Sequence, residues 1–251
     1  MGKTYFYFNE PTKKKPSWFS ENYSKYITLV DHKEIFPSTM TIPVTNSNAI
    51  ETTLYKIPGL SEHFIYFNDD VFIGRPLPRS YFFTDDGKAI VSDHLKNSRS
   101  MMLNNRKNTL GFKLPPSCDS LYPHVPISFL KSQFSNFVTT YPGYIDWIRR
   151  ERKRNGWGCD SCIHMICPCQ QIHAPVLIYT SNNNKTKYTS YASQGYINAS
   201  SLHLLYRFLK GPPETFCIND TEEDVSKRSS MINKTNNFYH KMYPEKPPFE
   251  K

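Results

Sequence analysis

Between Phe64 and Gly74 the chain reads Phe-Ile-Tyr-Phe-Asn-Asp-Asp-Val-Phe-Ile-Gly, an apolar strand pattern opened in its middle by one amide and two carboxylates. Such an interruption is costly inside a core. Ionised carboxylates taken out of water need a partner, and for two adjacent ones the most effective partner is a hard divalent cation, which in turn holds phosphate oxygens. Asn68, Asp69 and Asp70 therefore point to a metal-dependent phosphate or nucleotide site. They are equally consistent with a strand that ends at Asn68 in a polar turn, because Asn and Asp are favoured turn residues.

The upstream residues add context. Asn46-Ser47-Asn48 precedes a segment in which Ile50, Leu54 and Ile57 share one helical face, and Pro58-Gly59 stops it. The pattern predicts a short helix leading into a strand over 64–68. In open α/β sheets ligands sit beyond the carboxyl ends of strands, which is where Asp69 and Asp70 would then lie.

Thr45-Asn46-Ser47-Asn48-Ala49-Ile50-Glu51 and the run from Ile57 to Phe72 closely resemble the second sequence block of the Stealth family. That family contains bacterial capsule-polymer sugar-phosphate transferases and the animal Golgi N-acetylglucosamine-1-phosphotransferase. Pro123-His124-Val125-Pro126, followed by Phe129-Leu130-Lys131, is similar to the third block. Phe216-Cys217-Ile218-Asn219-Asp220 and the ending from Phe238 to Glu250 are similar to the fourth. The first block, a strand ending in a Thr-Trp-Val-Asp-Gly type motif, has no counterpart. Lys3 to Phe8 reads as a later strand and Pro16-Ser17-Trp18-Phe19 as the segment after it. The expectation is an amino-terminally shortened domain, with a separate chain as one source of the missing block.

The resemblance implies an α/β, Rossmann-like mixed sheet with flanking helices, of the nucleotide-sugar-transferase kind. It implies transfer of a sugar 1-phosphate from a UDP-N-acetylglucosamine-like donor to a hydroxyl of a glycan acceptor. In that reading Asp69 and Asp70 hold Mg²⁺ or a similar cation, and His124 acts on the acceptor hydroxyl or the transferring phosphate. Arg154 clamps phosphate, Asp220 adds a carboxylate, and Asn46, Asn48, Asn68 and Asn219 orient sugar or metal. Arg149, Arg150 and Arg152 are neighbouring choices for the arginine, and Asp160 is the acid that follows it. Two other readings stand beside it: a non-catalytic or split-subunit glycan-binding protein, and a metal-dependent glycosyltransferase that moves the sugar without its phosphate.

Composition sets the bounds. At 251 residues, 38% hydrophobic and 15% aromatic, the chain can bury a sizeable core as one domain over 1–251, so the mean hydropathy of −0.58 reflects polar residues rather than disorder. Within it, 1–92 reads as the sheet core, 93–120 as a polar insertion or an amphipathic helix over the sheet edge, and 121–251 as a mainly helical part. No apolar run approaches the length of a membrane span or of a signal segment, so we expect a soluble, cytoplasmic chain. The net charge of +9 gathers at Lys13-Lys14-Lys15 and at Arg149 to Arg154. Neither cluster carries interleaved aromatics or a nucleic-acid motif; a solvated face or a site for pyrophosphate and polyanionic acceptors accounts for the charge, and no nucleic-acid partner is expected.

Cys159, Cys162, Cys167 and Cys169 crowd into the insertion 159–173. Four thiolates would close a structural zinc site, although the Cys-x-Cys end is tight for a tetrahedron; local disulfides are the other reading. Sequons begin at Asn22, Asn184, Asn198, Asn219 and Asn233 and occur at chance level.

Elsewhere, residues 3–8 and 26–30 read as strands and His32 to Pro37 as a loop. Gly74 to Pro78 breaks regular structure, and Tyr81-Phe82-Phe83 packs back on the core. Pro126 suits the first position of a helix carrying Phe129, Leu130, Phe134, Phe137 and Val138, which would leave His124 just outside its amino terminus. Ser181 to Ser193 reads as a polar loop. Leu202, Leu205, Tyr206 and Leu209 form a core stripe ended by Gly211-Pro212-Pro213. Phe216-Cys217-Ile218 reads as a buried strand, and Thr221 to Asp224 opens a last helix.

Overall fold

Strands β1 (Thr4–Phe8) and β2 (Ile27–Asp31) run parallel, pairing Thr4 with Ile27 through to Phe8 with Asp31. Both are the strands read from their aromatic and branched residues. The computed structural model describes residues 4–8, 20, 22, 25–40, 42–93, 126–150, 177–180, 196–197, 208–220 and 225–245, with backbone alone at 4–8, 91–93, 177–180, 196–197, 217, 219–220, 225 and 227. The predicted loop after β2 is instead a helical turn, α1 (His32–Ile35). The Asp31 carboxylate accepts from Lys33 N–H at 2.9 Å, and Glu34 Oε1 accepts from Asp31 N–H at 3.2 Å. This reciprocal capping satisfies donors that a turn of four residues would leave open.

His32 is 2% exposed and stacks on Phe36 at 4.8 Å between centroids. Burial holds its imidazole below the usual 6.5, against the opposing pull of the Asp31 charge. A base whose folded pKa is depressed contributes stability that is present above its unfolded pKa and is lost as pH falls through the folded one. Unfolding free energy is therefore expected to drop as pH is lowered below about 6.5. His32→Leu is expected to flatten that limb, which urea titrations at several pH values read directly. An unchanged slope in the variant would remove His32 as the cause.

Helix α2 (Ser47–Glu51) opens where expected, but the helix read through to Ile57 stops after five residues and resumes as a 3-10 turn at Leu54–Lys56. Two consecutive threonines account for the break. Thr52 Oγ1 donates to Ala49 O at 2.7 Å and Thr53 Oγ1 to Ile50 O at 2.7 Å, so both hydroxyls compete for the helix carbonyls. The apolar face survives the break, since Leu54 and Ile57 are each 1% exposed.

The larger correction concerns Pro126. Residues Ile127–Leu130 form strand β6, antiparallel to β3 (His63–Tyr66), with Phe64 opposite Phe129 and Tyr66 opposite Ile127. The helix carrying Phe134, Phe137 and Val138, α3, spans Lys131–Thr140. All four residues of β6 are buried, so neither alternation nor helical period marks it, and a short apolar run of this kind is ambiguous from sequence. Glu62 fixes the switch. Its carbonyl accepts from Lys131 N–H at 2.7 Å, and its carboxylate takes Ser132 N–H at 3.2 Å and the Ser132 hydroxyl, placing negative charge at the start of α3. Helix α4 (Pro142–Arg150) follows and buries Tyr144, Ile145 and Ile148. Together with Val30, Ile35, Val44, Leu54 and Ile57, the aromatics Phe129, Phe134 and Phe137 make the main core.

Strand β4 (Val71–Ile73) pairs antiparallel with β9 (Thr215–Cys217), and the last helix, α5 (Val225–Met242), packs Phe238 and Tyr239 against Phe216 and Phe72. The short buried strand expected near Phe216 is present. So is the return of Phe82 and Phe83 to the core, in a cluster with Ala89 and Leu130. Strand β5 (Ile90–Asp93) runs parallel to β7 (Leu177–Thr180), and β8 (Tyr196–Ile197) parallel to β10 (Asn219–Asp220). The chain is thus mixed α/β, and among the described residues its strands pair two by two. No described helix is long and apolar enough to cross a membrane. Most of the polar insertion 93–120, the loop 181–193, and Asp160, Leu202, Leu205 and Tyr206 lie outside the described residues.

Where β4 ends, Gly74 N–H donates to Glu214 O at 2.9 Å, and a Cβ on Gly74 would collide with the carbonyl oxygen of Pro213. Backbone cannot retreat as a side chain can. Gly74→Ala is expected to cost about 1–3 kcal/mol, the range for overpacking, seen as a lowered urea midpoint at unchanged slope. A midpoint equal to that of the unsubstituted chain would show that β4 and the Pro213 turn can separate freely.

Candidate functional site

Asn68, Asp69 and Asp70 occupy the tight turn between β3 and β4, closed by Val71 N–H donating to Asn68 O at 3.1 Å. The polar-turn reading thus describes the backbone. It leaves the chemistry of the carboxylates open. The turn follows the carboxyl end of β3 as predicted, but β3 is antiparallel to its partner, so the parallel-sheet rule is not what places it there. Asp69 is exposed; Asp70 is half-buried, and its Oδ1 is shielded from solvent.

The turn is tied to the far end of the chain. Ile218 N–H donates to Asp70 O at 2.8 Å, continuing the ladder that pairs Val71 with Cys217. Strand β10, Asn219–Asp220, starts at the next residue. The backbone therefore brings the Asn219-Asp220 segment beside the Asn68–Asp70 turn. The side chains of Asn219 and Asp220 lie outside the described residues, as do His124, Arg154, Cys159, Cys162, Cys167 and Cys169. The helix that His124 was expected to precede begins at Lys131, so His124 leads into a strand and not into a helix amino terminus. No group of three or more His, Cys, Asp or Glu converges among the described residues.

Asn46 caps α2: its Oδ1 accepts from Asn48 N–H at 3.1 Å, and it is 4% exposed. Asn48 sits half-buried in the first turn. At the other end of α2, Glu51 is 3% exposed and accepts a hydrogen bond from the Tyr66 hydroxyl at 3.0 Å. Next to it, fully buried Thr52 takes two bonds from Arg149: Nε to Oγ1 at 2.9 Å and Nη2 to the carbonyl at 3.1 Å. The Lys56 ammonium is lowered from its usual value by burial and then by the Arg149 charge.

These contacts of Glu51, Thr52, Tyr66 and Arg149 are not predicted by the sequence reading. A carboxylate beside the apolar positions Ile50 and Leu54 and a tyrosine inside an apolar strand were the available signals, because each buried polar group requires a partner. As donors, Asp69, Asp70 and the Asn68 amide oxygen suit a hard divalent cation, which takes oxygen ligands.

Residues 5–91 match Stealth protein CR2, conserved region 2. The resemblance read from Thr45 to Phe72 falls inside that span. Across most of its length the chain is also similar to polysaccharide phosphotransferases. It is 28% identical over 272 residues to an exopolysaccharide phosphotransferase of Lactiplantibacillus plantarum, covering 94% of this chain and 77% of the relative. It is 29% identical over 253 residues to a capsular polysaccharide phosphotransferase of Haemophilus influenzae, covering 91% of this chain and 62% of the relative. A shorter match, 51% identical over 75 residues, links it to a capsular polysaccharide phosphotransferase of Neisseria meningitidis serogroup B, covering 30% of this chain and 20% of the relative.

Proposed function

We propose that the chain, whose residues 5–91 match conserved region 2 of the Stealth proteins, is a transferase that moves a sugar 1-phosphate from a nucleotide sugar to a hydroxyl of a glycan. The observation that carries this reading is the Asn68–Asp70 turn, which lies within the matched region and whose Asp70 carbonyl accepts from Ile218 N–H, the residue that leads into Asn219-Asp220. The names of the relatives support phosphoryl transfer to a polysaccharide. A Rossmann-like nucleotide-sugar fold goes with the same reading, supported by the parallel pairing of β1 with β2.

In the proposed reaction the acceptor oxygen bonds to the phosphorus that carries the sugar. The phosphoanhydride bond to the nucleotide breaks, leaving a phosphodiester and a nucleoside monophosphate. His124 takes the hydroxyl proton, since imidazole titrates near neutrality. Arg154 holds phosphate oxygens with its planar fork of donors. Asp69 and Asp70 hold a divalent cation, which when bound offsets negative charge on the pyrophosphate. Asn46, Asn48, Asn68, Asn219 and Asp220 orient sugar and acceptor around them. A structural zinc at the four cysteines of 159–173 belongs to the same proposal.

Calorimetric titration with UDP-N-acetylglucosamine, with and without Mg²⁺, followed by product mass analysis with a capsular oligosaccharide, tests the reading. Metal-dependent binding and a product that retains phosphate support it. A product enlarged by the sugar alone would make the chain an ordinary glycosyltransferase, and a folded chain that binds no nucleotide sugar would not be a transferase of this kind.

A further inference from the structure

We propose that Arg149 is a positioning residue: its hydrogen bonds to Thr52, together with the Tyr66–Glu51 bond, brace the carboxyl end of α2 so that the Asn46–Asn48 end is held in register with the Asn68–Asp70 turn. The proposal rests on the transferase reading above only for its kinetic readout.

Three elements meet at this brace. Strand β3 contributes Tyr66, two residues before Asn68, and its hydroxyl reaches Glu51 Oε1 at 3.0 Å. Helix α4 contributes Arg149, whose Nε and Nη2 grip the Oγ1 and the carbonyl of Thr52 at 2.9 and 3.1 Å. The carboxyl end of α2 contributes both acceptors, Glu51 as its last residue at 3% exposure and Thr52 as its C-cap with none. Thr52 Oγ1 passes the connection on by donating to Ala49 O at 2.7 Å.

A helix of five residues is too short to hold its own shape, because nucleation is unfavourable and each end leaves backbone groups open. Its orientation therefore comes from what grips it. The Asn46-to-Asn48 bond at the amino end is a local cap, whereas the bonds at the carboxyl end tie the helix to two other elements. One of these elements runs straight into the Asp-Asp turn. The guanidinium fork is also the chemical reason for Arg at 149. It serves a hydroxyl and a carbonyl at once and meets the last carbonyls of α2, where a cation is favoured. Lys at this site would keep the charge and lose the paired geometry. Of the basic residues Arg149 to Arg154, this one is thereby committed to protein and not to substrate phosphate.

The test is a double-substitution cycle of Arg149→Met and Thr52→Val, with Thr52→Ser as the conservative variant. It is read by initial rates of sugar-phosphate transfer and by amide hydrogen exchange over residues 47–52. A displacement of ~1 Å in a positioned group can cost about a hundredfold in rate. Each single variant is expected to lower kcat by about ten- to a hundredfold with donor KM within about threefold, the double variant to be no worse than the poorer single one, and Thr52→Ser to restore kcat. Exchange over 47–52 is expected to quicken in both single variants and to return in Thr52→Ser.

Additive losses, or a rise in donor KM without a fall in kcat in Arg149→Met, would overturn the proposal and make Arg149 a substrate contact. Unchanged exchange in both variants would overturn it as well. If the unsubstituted chain transfers no sugar phosphate, the transferase reading fails while the exchange measurements still decide the brace.

Discussion

Asp70→Asn is expected to lower kcat/KM for sugar-phosphate transfer by about a thousandfold, the scale reached when a single group that stabilises developing charge is removed from a preorganised site. The turn that carries Asp70 is made by backbone. Val71 N–H closes it onto Asn68 O, and Ile218 N–H holds Asp70 O at 2.8 Å. An amide in place of the carboxylate keeps the size and the backbone bonds and removes the charge. The substitution therefore separates chemistry from folding. Initial rates over a range of donor concentrations at saturating Mg²⁺, alongside a thermal melt, read both. A melt within a few degrees of the unsubstituted chain with transfer down about a thousandfold is the expected outcome. Activity within a few-fold would show that the Asp-Asp turn is only a turn.

Phe129→Ala is expected to cost about 3–5 kcal/mol, a large share of the ~5–15 kcal/mol that holds a domain together. Phe129 is fully buried, stacks on Phe64 at 5.4 Å and meets Phe134 edge-on at 5.2 Å between centroids. It thus joins β6 to β3 and to α3, and truncation leaves a cavity between three elements that cannot all close on it. Guanidinium unfolding monitored by circular dichroism gives the number. A loss under about 1 kcal/mol would mean that this part of the core is loosely packed and that Phe64 and Phe134 collapse into the space.

The same residue shows where sequence reading stops. Phe129 and Leu130 fit the helical spacing of Phe134, Phe137 and Val138, and nothing local separates the two halves of that run. The boundary at Lys131 is set by Glu62, which comes from another part of the chain and satisfies the open donors of the helix start. The turn at His32 was missed for a different reason. Asp31 and Glu34 form a capping box, but one followed by too few residues for a helical period to register. The helix over 47–57 was legible as a face and not as a length, since Thr52 and Thr53 divert its carbonyls.

What the amino-acid sequence determined by itself is local and periodic: the strands at β1 and β2, the apolar face of Ile50, Leu54 and Ile57, the polar interruption at Asn68–Asp70, and the resemblance that its neighbours carry. These follow from side-chain period, turn chemistry and the cost of burying charge, all of which act over a few residues. Tertiary structure alone decided which distant segments meet. It put Ile218 on the carbonyl of Asp70, Tyr66 on Glu51, and Arg149 on Thr52 out of a run of interchangeable basic residues. Such bonds form because buried donors and acceptors must find partners, and which partner is within reach depends on how β3, β4, α2 and α4 pack.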